Sequence, residues 1–466
     1  MNKNCLWILG IGGLLGSCTL MPSYDRPPPP VSNAWPSGST QDNTSNTSSG
    51  DIDWRDFFED QRLQKLIGLA LENNRDLRVA VLRVEQARAQ YRIQRAELFP
   101  GVQGEARALR QKTSGAVTDA NRGTLSTTYS VDVSAAFELD LFGRVRSLKK
   151  EVLEKYFATD EARKSVQIAL ISEVASEYLT LLQLQEAKAI AQQTLEAVQS
   201  SFNLNQRSFE AGAASELDLR TAEAQVQTAR VNVSSYSQLL AQSENALVLL
   251  VGQPLPDRDP SGQSLRQHHL LTDLPAGVPS EVLQRRPDIL AAEHNLKAAN
   301  ADIGAARATF FPRILLTGSA GTASAKLTDL FTGPSETWSF SPQIVVPIFD
   351  VGGNRAKLDV SKISKNIEVA NYEKAIQTAF REVADALAVR SILEEKLKAQ
   401  ELLLNAQQRR FDLTNARYRS GVDSYVDVLL AQQDLYAAQQ NLLQFQAAHL
   451  LNAVTLYRSL GGGWKS

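Results

Sequence analysis

The sequence predicts a mainly α-helical chain with a smaller β portion, assembled from two copies of one helix–strand hairpin–helix unit. Three observations carry that expectation. The region from Asp60 to Gly252 recurs from about Glu281 to Gly461, at a spacing of roughly 210 residues. Proline is absent from Gly101 to Gln253 and again from Ile348 to the end, so two long stretches lack that helix breaker. In each half one segment, Pro100 to Leu141 and Pro312 to Phe349, does not read as helix and is expected to hold strands.

The duplication is legible residue by residue. Leu98-Phe99-Pro100 returns as Phe310-Phe311-Pro312, and Arg75-Asp76-Leu77 as Pro287-Asp288-Ile289. Asp140 and Gly143 match Asp350 and Gly353, and Glu173-Val174-Ala175 matches Glu382-Val383-Ala384. Gly212, Ser215 and Asp218 match Gly421, Ser424 and Asp427. The first repeat is therefore placed at 51–252 and the second at 281–462, with a linker over 253–280.

The N-terminus reads as an export signal over residues 1–17: Lys3, an apolar run from Leu6 to Leu15, then small residues. Leu14 to Cys18, LLGSC, resembles the lipobox of bacterial lipoproteins, so Cys18 is expected to carry a covalent lipid and to begin the mature chain. Cys5 falls in the removed segment, which leaves no internal disulfide. Residues 18–50, with Pro27 to Pro30 and a Ser/Thr/Asn/Gly tract, are expected to be a lipid-anchored flexible leader.

The long helices follow from spacing and punctuation. Arg144 to Ala211 and Ala213 to Val251 contain neither Gly nor Pro, and Asn354 to Ser420 and Val422 to Leu460 are equally clean. Gly212 and Gly421 separate the members of each pair, where a helix would end in a left-handed cap. Ile171, Val174, Ala175, Tyr178 and Leu182 share one helical face, as do Leu77, Ala80, Val81 and Val84. At 1.5 Å per residue the longer segments reach ~100 Å and the shorter ones ~58 Å, lengths that imply coiled-coil-like packing.

Tyr129, Val131, Val133, Ala135, Phe137, Leu139 and Leu141 alternate with mainly polar residues, a period of two with one apolar face. In the second half Trp338, Phe340, Ile344, Val346 and Ile348 mark one face, interrupted by Pro342. Polar or Gly-rich middles at Ser114 to Gly123 and Gly318 to Gly333 make each region a two-stranded hairpin, with strands at about 100–141 and 312–349. Past the export signal no apolar run approaches the ~20 residues of a membrane-spanning helix. Strands that entered a membrane would have to close a barrel, and the smallest outer-membrane barrels use about eight. Two, three or four copies would then be needed, because an open edge in lipid leaves backbone groups unsatisfied. Two soluble hairpins on a coiled-coil body remain the alternative.

Other classes lose support on composition. Lys+Arg number 49 and Asp+Glu 51, without a long basic block, so no nucleic-acid surface is expected. His268, His269, His294 and His449 show no metal-ligand spacing, and no nucleophile elbow or phosphate loop occurs. Neither an enzyme nor a metal site nor any cofactor beyond the lipid on Cys18 is expected.

LLGSC, the leader, Trp54 to Ala80 (WRDFFEDQRLQKLIGLALENNRDLRVA), Leu139 to Arg144 (LDLFGR) and the paired long helices together resemble the TolC-like outer-membrane factors, lipoprotein branch of OprM and NodT type. The resemblance covers nearly the whole mature chain. It implies a homotrimer: a twelve-stranded barrel in the outer membrane, continued by a helical barrel in the periplasm. It further implies a passive duct that receives small molecules from an inner-membrane pump through a periplasmic adaptor. A duct for type I protein secretion and a structural periplasmic lipoprotein are the competing readings. The family's adaptor-facing tips map onto Gly212, Ser215, Asp218, Gly421 and Ser424, and its periplasmic aperture onto Asp427 and Leu430. At that last position many relatives carry Asp. Leu430 therefore implies a dry constriction and Asp427 a charged one, with a solvated outer position as the alternative for Asp427. Thr19 after Cys18 suits sorting to the outer membrane.

Overall fold

The computed structural model describes residues 19–32, 35, 52–114, 116, 123–256, 265 and 285–462. In chain order the elements are α1 (Trp54–Phe57), α2 (Gln61–Asn73), α3 (Arg75–Ala96), β1 (Gly101–Thr113), β2 (Thr124–Leu139), α4 (Arg144–Glu210) and α5 (Glu216–Val251). The second half supplies α6 (Pro287–Ala308), β3 (Arg313–Ser324), β4 (Glu336–Val345), α7 (Gly353–Arg419) and α8 (Tyr425–Ser459). Helices α4 and α7 are each 67 residues long, and after Gly353 at the first position of α7 neither contains a Gly or Pro to interrupt it. The expected fold class, mainly helical with a β portion and a helix–hairpin–helix order in each half, is the one observed.

The chain divides into two compact units, and the division cuts across the sequence repeats. One unit takes Arg83–Asp160 and Ala291–Glu373 together with the described leader residues 19–28. The other takes residues of Pro29–Leu82, Glu161–Leu290 and Lys374–Ser466.

The first unit contains the sheet. All neighbouring strands are antiparallel, in the order β1-β2-β3-β4, so the hairpins of the two repeats are joined through β2 and β3. Register sorts the side chains by chemistry. Gly104, Val133, Ala320 and Trp338 stand in one row, and Leu139, Ile314 and Ile344 in another on the same face. Gln103, Ser134, Ser319 and Ser339 form the row next to the first, on the opposite face. The alternation seen in β2 thus extends over all four strands: one face apolar and exposed, the other polar. Pro342 falls on the edge strand β4, where a missing backbone donor is tolerated. Gly318 and Gly321, read from sequence as part of the turn, lie inside β3 instead. Gly321 is there because β2 approaches so closely that a Cβ would strike the Val131 carbonyl and Asp132.

Repeated sequence does repeated work where strands hand over to helices. The Asp140 carboxylate accepts from the backbone N–H groups of Val145 and Arg146 at 3.1 and 2.9 Å, at the start of α4. Its counterpart Asp350 accepts from Gly352 and Asn354 at 3.1 and 2.6 Å, at the start of α7. Each caps orphan donors of a helix that begins directly after a strand region. Glu138 adds a clamp beneath the sheet, bound by Arg144 at 2.7 and 2.8 Å and by Arg313 at 2.7 Å.

The described residues 19–32 of the leader depart from the flexible tether expected there. Residues 19–32 are extended, and several of them are bonded to α6. Asn300 Nδ2 donates to the Pro22 carbonyl at 2.9 Å and Arg307 to that of Leu20 at 3.1 Å. Arg26 Nε and the Tyr24 hydroxyl both donate to Glu293, at 3.1 and 3.2 Å. Gly304 is required beneath the leader, since a Cβ there would run into Met21 and Ser147. Partners so distant in sequence leave no mark in local composition. Cys18, the export signal 1–17 and the histidines His268 and His269 lie outside the described residues, as do residues 33–34 and 36–50 of the leader.

The second unit packs the N-terminal helices α1 and α2 onto the long ones. Phe57 stacks on Tyr457 with ring centroids 4.1 Å apart, and Trp54, Phe58 and Ile67 complete a buried cluster. The predicted face of α4 is buried throughout, from Ile171 to Leu182. Two tyrosine hydroxyls of this core are matched: Tyr178 donates to Asp60 at 2.7 Å, Tyr457 to the Ile52 carbonyl at 2.8 Å. Asp60 also caps α2, accepting from Arg62 N at 2.7 Å. Of the face read on α3, only Leu77 is buried; Ala80 and Val84 are half-buried and Val81 is exposed. An apolar stripe at helical spacing buries itself only where the chain supplies a partner.

Candidate functional site

Two helix reversals, α4 to α5 and α7 to α8, bring together most of the residues singled out from sequence. Gly212 and Gly421 have φ of 73° and 75°, and nothing lies within 4 Å of where a Cβ would stand. Backbone conformation alone therefore selects glycine at both positions. The turn bonds also repeat: Gly212 N donates to the Phe209 carbonyl and Gly421 N to that of Tyr418, each at 2.9 Å.

Ser215 and Ser424 are the N-caps of α5 and α8, in reciprocal capping boxes with Asp218 and Asp427. Asp218 N donates to Ser215 Oγ at 3.1 Å, and Ser215 N to the Asp218 carboxylate at 3.3 Å. The second box has the same form, at 3.3 and 3.2 Å. Asp218 and Asp427 thus hold the same post, each with one carboxylate oxygen engaged by its own helix end. Asp427 and Leu430 are both exposed, three residues apart on α8. Leu217, with 75% of its surface accessible, and Val426, with 49%, occupy matching positions in the two turns.

The turns differ in what supports them. Arg417 grips Asp423 through two parallel bonds of 2.8 Å, and that hydrogen-bonded charge holds the Asp423 carboxyl below the ordinary carboxylate range. The matching positions in the first turn are Ser208 and Ala214, which cannot form such a clamp. Tyr425, which replaces Glu216, is buried, and its ring lies 5.7 Å from that of Tyr418. Burial, then the neighbouring Tyr418 and the charge of Asp218, push the Tyr425 hydroxyl up to about 12. The Tyr418 hydroxyl in turn reaches Asn205 on α4, 3.4 Å away. Sequence reading marked both turns but missed the clamp and the Tyr pair. A clue lay in aligning the repeats and asking which charges appear in one copy only.

No titratable constellation suited to catalysis accompanies these turns. Among the described residues no group of three His, Cys, Asp or Glu side chains could hold a metal ion. His294 lies instead against Glu154, Nδ1 to Oε2 at 2.6 Å, a pairing across 140 residues of sequence. No described helix is long and apolar enough to cross a membrane, which says nothing about the sheet.

Comparison with known proteins agrees over the whole length. The model of the outer membrane efflux protein family matches residues 66–253 and 278–462. The probable efflux pump outer membrane protein TtgC of Pseudomonas putida is 46% identical over 467 residues, spanning 100% of this chain and 96% of the relative. The outer membrane protein OprJ of Pseudomonas aeruginosa is 43% identical, over 97% of this chain and 94% of its own. Among solved structures, the open state of the Neisseria gonorrhoeae MtrE outer membrane channel superposes with a TM-score of 0.87 at 39% identity, covering 96% of this chain and 99% of that one.

Proposed function

The chain belongs to the outer membrane efflux protein family, and on that premise we propose a passive exit duct, closed by three copies, that receives small molecules from an inner-membrane pump through a periplasmic adaptor. It is an outer-membrane efflux component and not an enzyme. The sheet carries the reading. Four strands with an apolar face, a polar face and two unpaired outer edges cannot remain open in lipid, and three copies supply the twelve strands of a closed barrel. The polar face then lines a wet lumen, and the apolar face meets acyl chains.

In this reading the helical part stands in the periplasm and the turns around Gly212 and Gly421 meet the adaptor, with Ser215, Asp218 and Ser424 holding the helix ends in shape. Asp427 and Leu430 would narrow the duct as a charged ring and an apolar ring, with threefold symmetry crowding like charges that attract cations. Cys18 would carry the lipid that anchors the leader to the outer membrane. Mass spectrometry of the mature protein checks that last point: an unmodified Cys18 rules it out.

Deletion of the gene should raise susceptibility to pump substrates at least several-fold, and the intact chain should restore resistance and run as a heat-stable oligomer in outer-membrane fractions. Unchanged susceptibility to every compound tested, or a monomer that washes free of the membrane, would overturn the duct. In planar bilayers Asp427→Ala should weaken cation selectivity and divalent block. If both stay unchanged, Asp427 is only a helix cap.

A further inference from the structure

We infer that the seam between neighbouring copies is closed by a charge clamp, Glu336 of one copy against Arg110 and Lys112 of the next. The inference rests on the barrel proposed above and on nothing but strand lengths, faces and charges. Strands β1 and β4 are the two open edges of the sheet, so a ring of copies must join β4 of one to β1 of another.

Two conditions restrict the register. The first is that the apolar faces remain continuous. Val102, Gly104, Ala106, Ala108, Arg110 and Lys112 share the face of Val131 and Val133 through β2, and Glu336, Trp338, Phe340 and Ile344 share it through β3. A one-residue slip would turn the apolar set of one strand toward the lumen. The second condition is that every residue of β4, Glu336–Val345, finds a partner within Gly101–Thr113, because an unpaired backbone group in lipid costs several kcal/mol. Antiparallel pairing meets both conditions in only two registers. In one, Ile344 faces Val102 and Glu336 faces Arg110; in the other, Ile344 faces Gly104 and Glu336 faces Lys112.

Whichever of the two is adopted, Glu336 stands opposite one cation and diagonal to the other, within reach of long side chains. All three are exposed, and none has an ion-pair partner among the described residues. They sit at the turn end of their strands, away from the helices, on the face that carries Val102, Trp338, Phe340 and Ile344, which places the clamp at one rim of the membrane-facing band. A charge isolated on that face would be costly, and a complementary pair across the seam removes the cost while selecting the neighbour. The occupant is thus a second copy of this chain.

Disulfide trapping reads the seam directly. Ala106→Cys with Phe340→Cys reports the first register, and Ala108→Cys with Phe340→Cys the second. Within one chain β1 and β4 are separated by two strands, so a bond between these positions must join copies. One pair should give covalent oligomers on oxidation, whereas Arg107→Cys with Phe340→Cys, on opposite faces, should not. The charge test uses the full chain in membranes. Glu336→Lys should cut the fraction of heat-resistant oligomer at least twofold, and adding Arg110→Glu and Lys112→Glu should restore it. Heat-resistant oligomers that trap neither pair, or a reversal without effect, would overturn the clamp while leaving the duct intact. Absence of any oligomer in the parent chain would remove the duct and the clamp together.

Discussion

Glu293 binds three partners, Arg26, Tyr24 and Lys297, the last at 3.0 Å. Burial by itself would push its carboxyl up, but hydrogen bonds and charge from Arg26 and Lys297 outweigh burial and hold it below the usual value. A depressed carboxyl stabilises the folded form above its unfolded pKa of about 4.3, and that contribution is lost as pH falls through the lower, folded value. Hydrogen exchange of residues 19–32, relative to its intrinsic rate at each pH, should therefore stay slow at neutral pH and speed up only in strong acid. Glu293→Gln should make it fast at neutral pH, and an unchanged rate would show that the backbone bonds from Asn300 and Arg307 suffice. At the turns, Ser424→Ala removes one half of a reciprocal cap and should cost about 1 kcal/mol, read as faster exchange in the first turn of α8. The serine cap was legible from spacing, since Ser and Asp three apart after a glycine form a helix start signal. The Glu293 site was not, because Tyr24 and Arg26 come from distant sequence that only folding brings near, and Lys297 alone is local.

Among the elements, the strands were readable where one face is apolar and the other polar, as in β2, and less so in β3, where Gly318 and Gly321 resemble turn residues. Neighbouring strands decide such positions, since Gly321 answers to the close approach of β2. The same alternation makes a sharp contrast between adjacent residues of β3. Ala320→Arg, on the apolar face, should cost ~2–4 kcal/mol in a bilayer and deplete assembled protein, while Ser319→Arg on the polar face should assemble normally and alter conductance. Equal assembly of both variants would mean that the two faces do not meet different media. In the helical unit, Phe57→Ala should cost about 3–5 kcal/mol, because it removes a fully buried ring and its stacking on Tyr457. Tyr457→Phe keeps the ring and loses the bond to the Ile52 carbonyl, so a smaller loss of about 1 kcal/mol is expected by thermal denaturation.

For the whole molecule, duplication, uninterrupted helices and alternating strands were all properties of local order, and the sequence alone determined them: two repeats, four long helices, two hairpins, and glycines and serines at the reversals. Periodicity records which way a residue faces whatever partner it meets. It does not record the partner. Tertiary structure decided that the two hairpins join through β2 and β3, that the compact units cut across the repeats, that the leader is bonded to α6, and that Arg417 clamps Asp423 in one turn and not the other. Apart from the Arg417–Asp423 clamp, whose partners are six positions apart, these are contacts between residues tens to hundreds of positions apart. Their energies depend on distance in space, which a single sequence carries only implicitly.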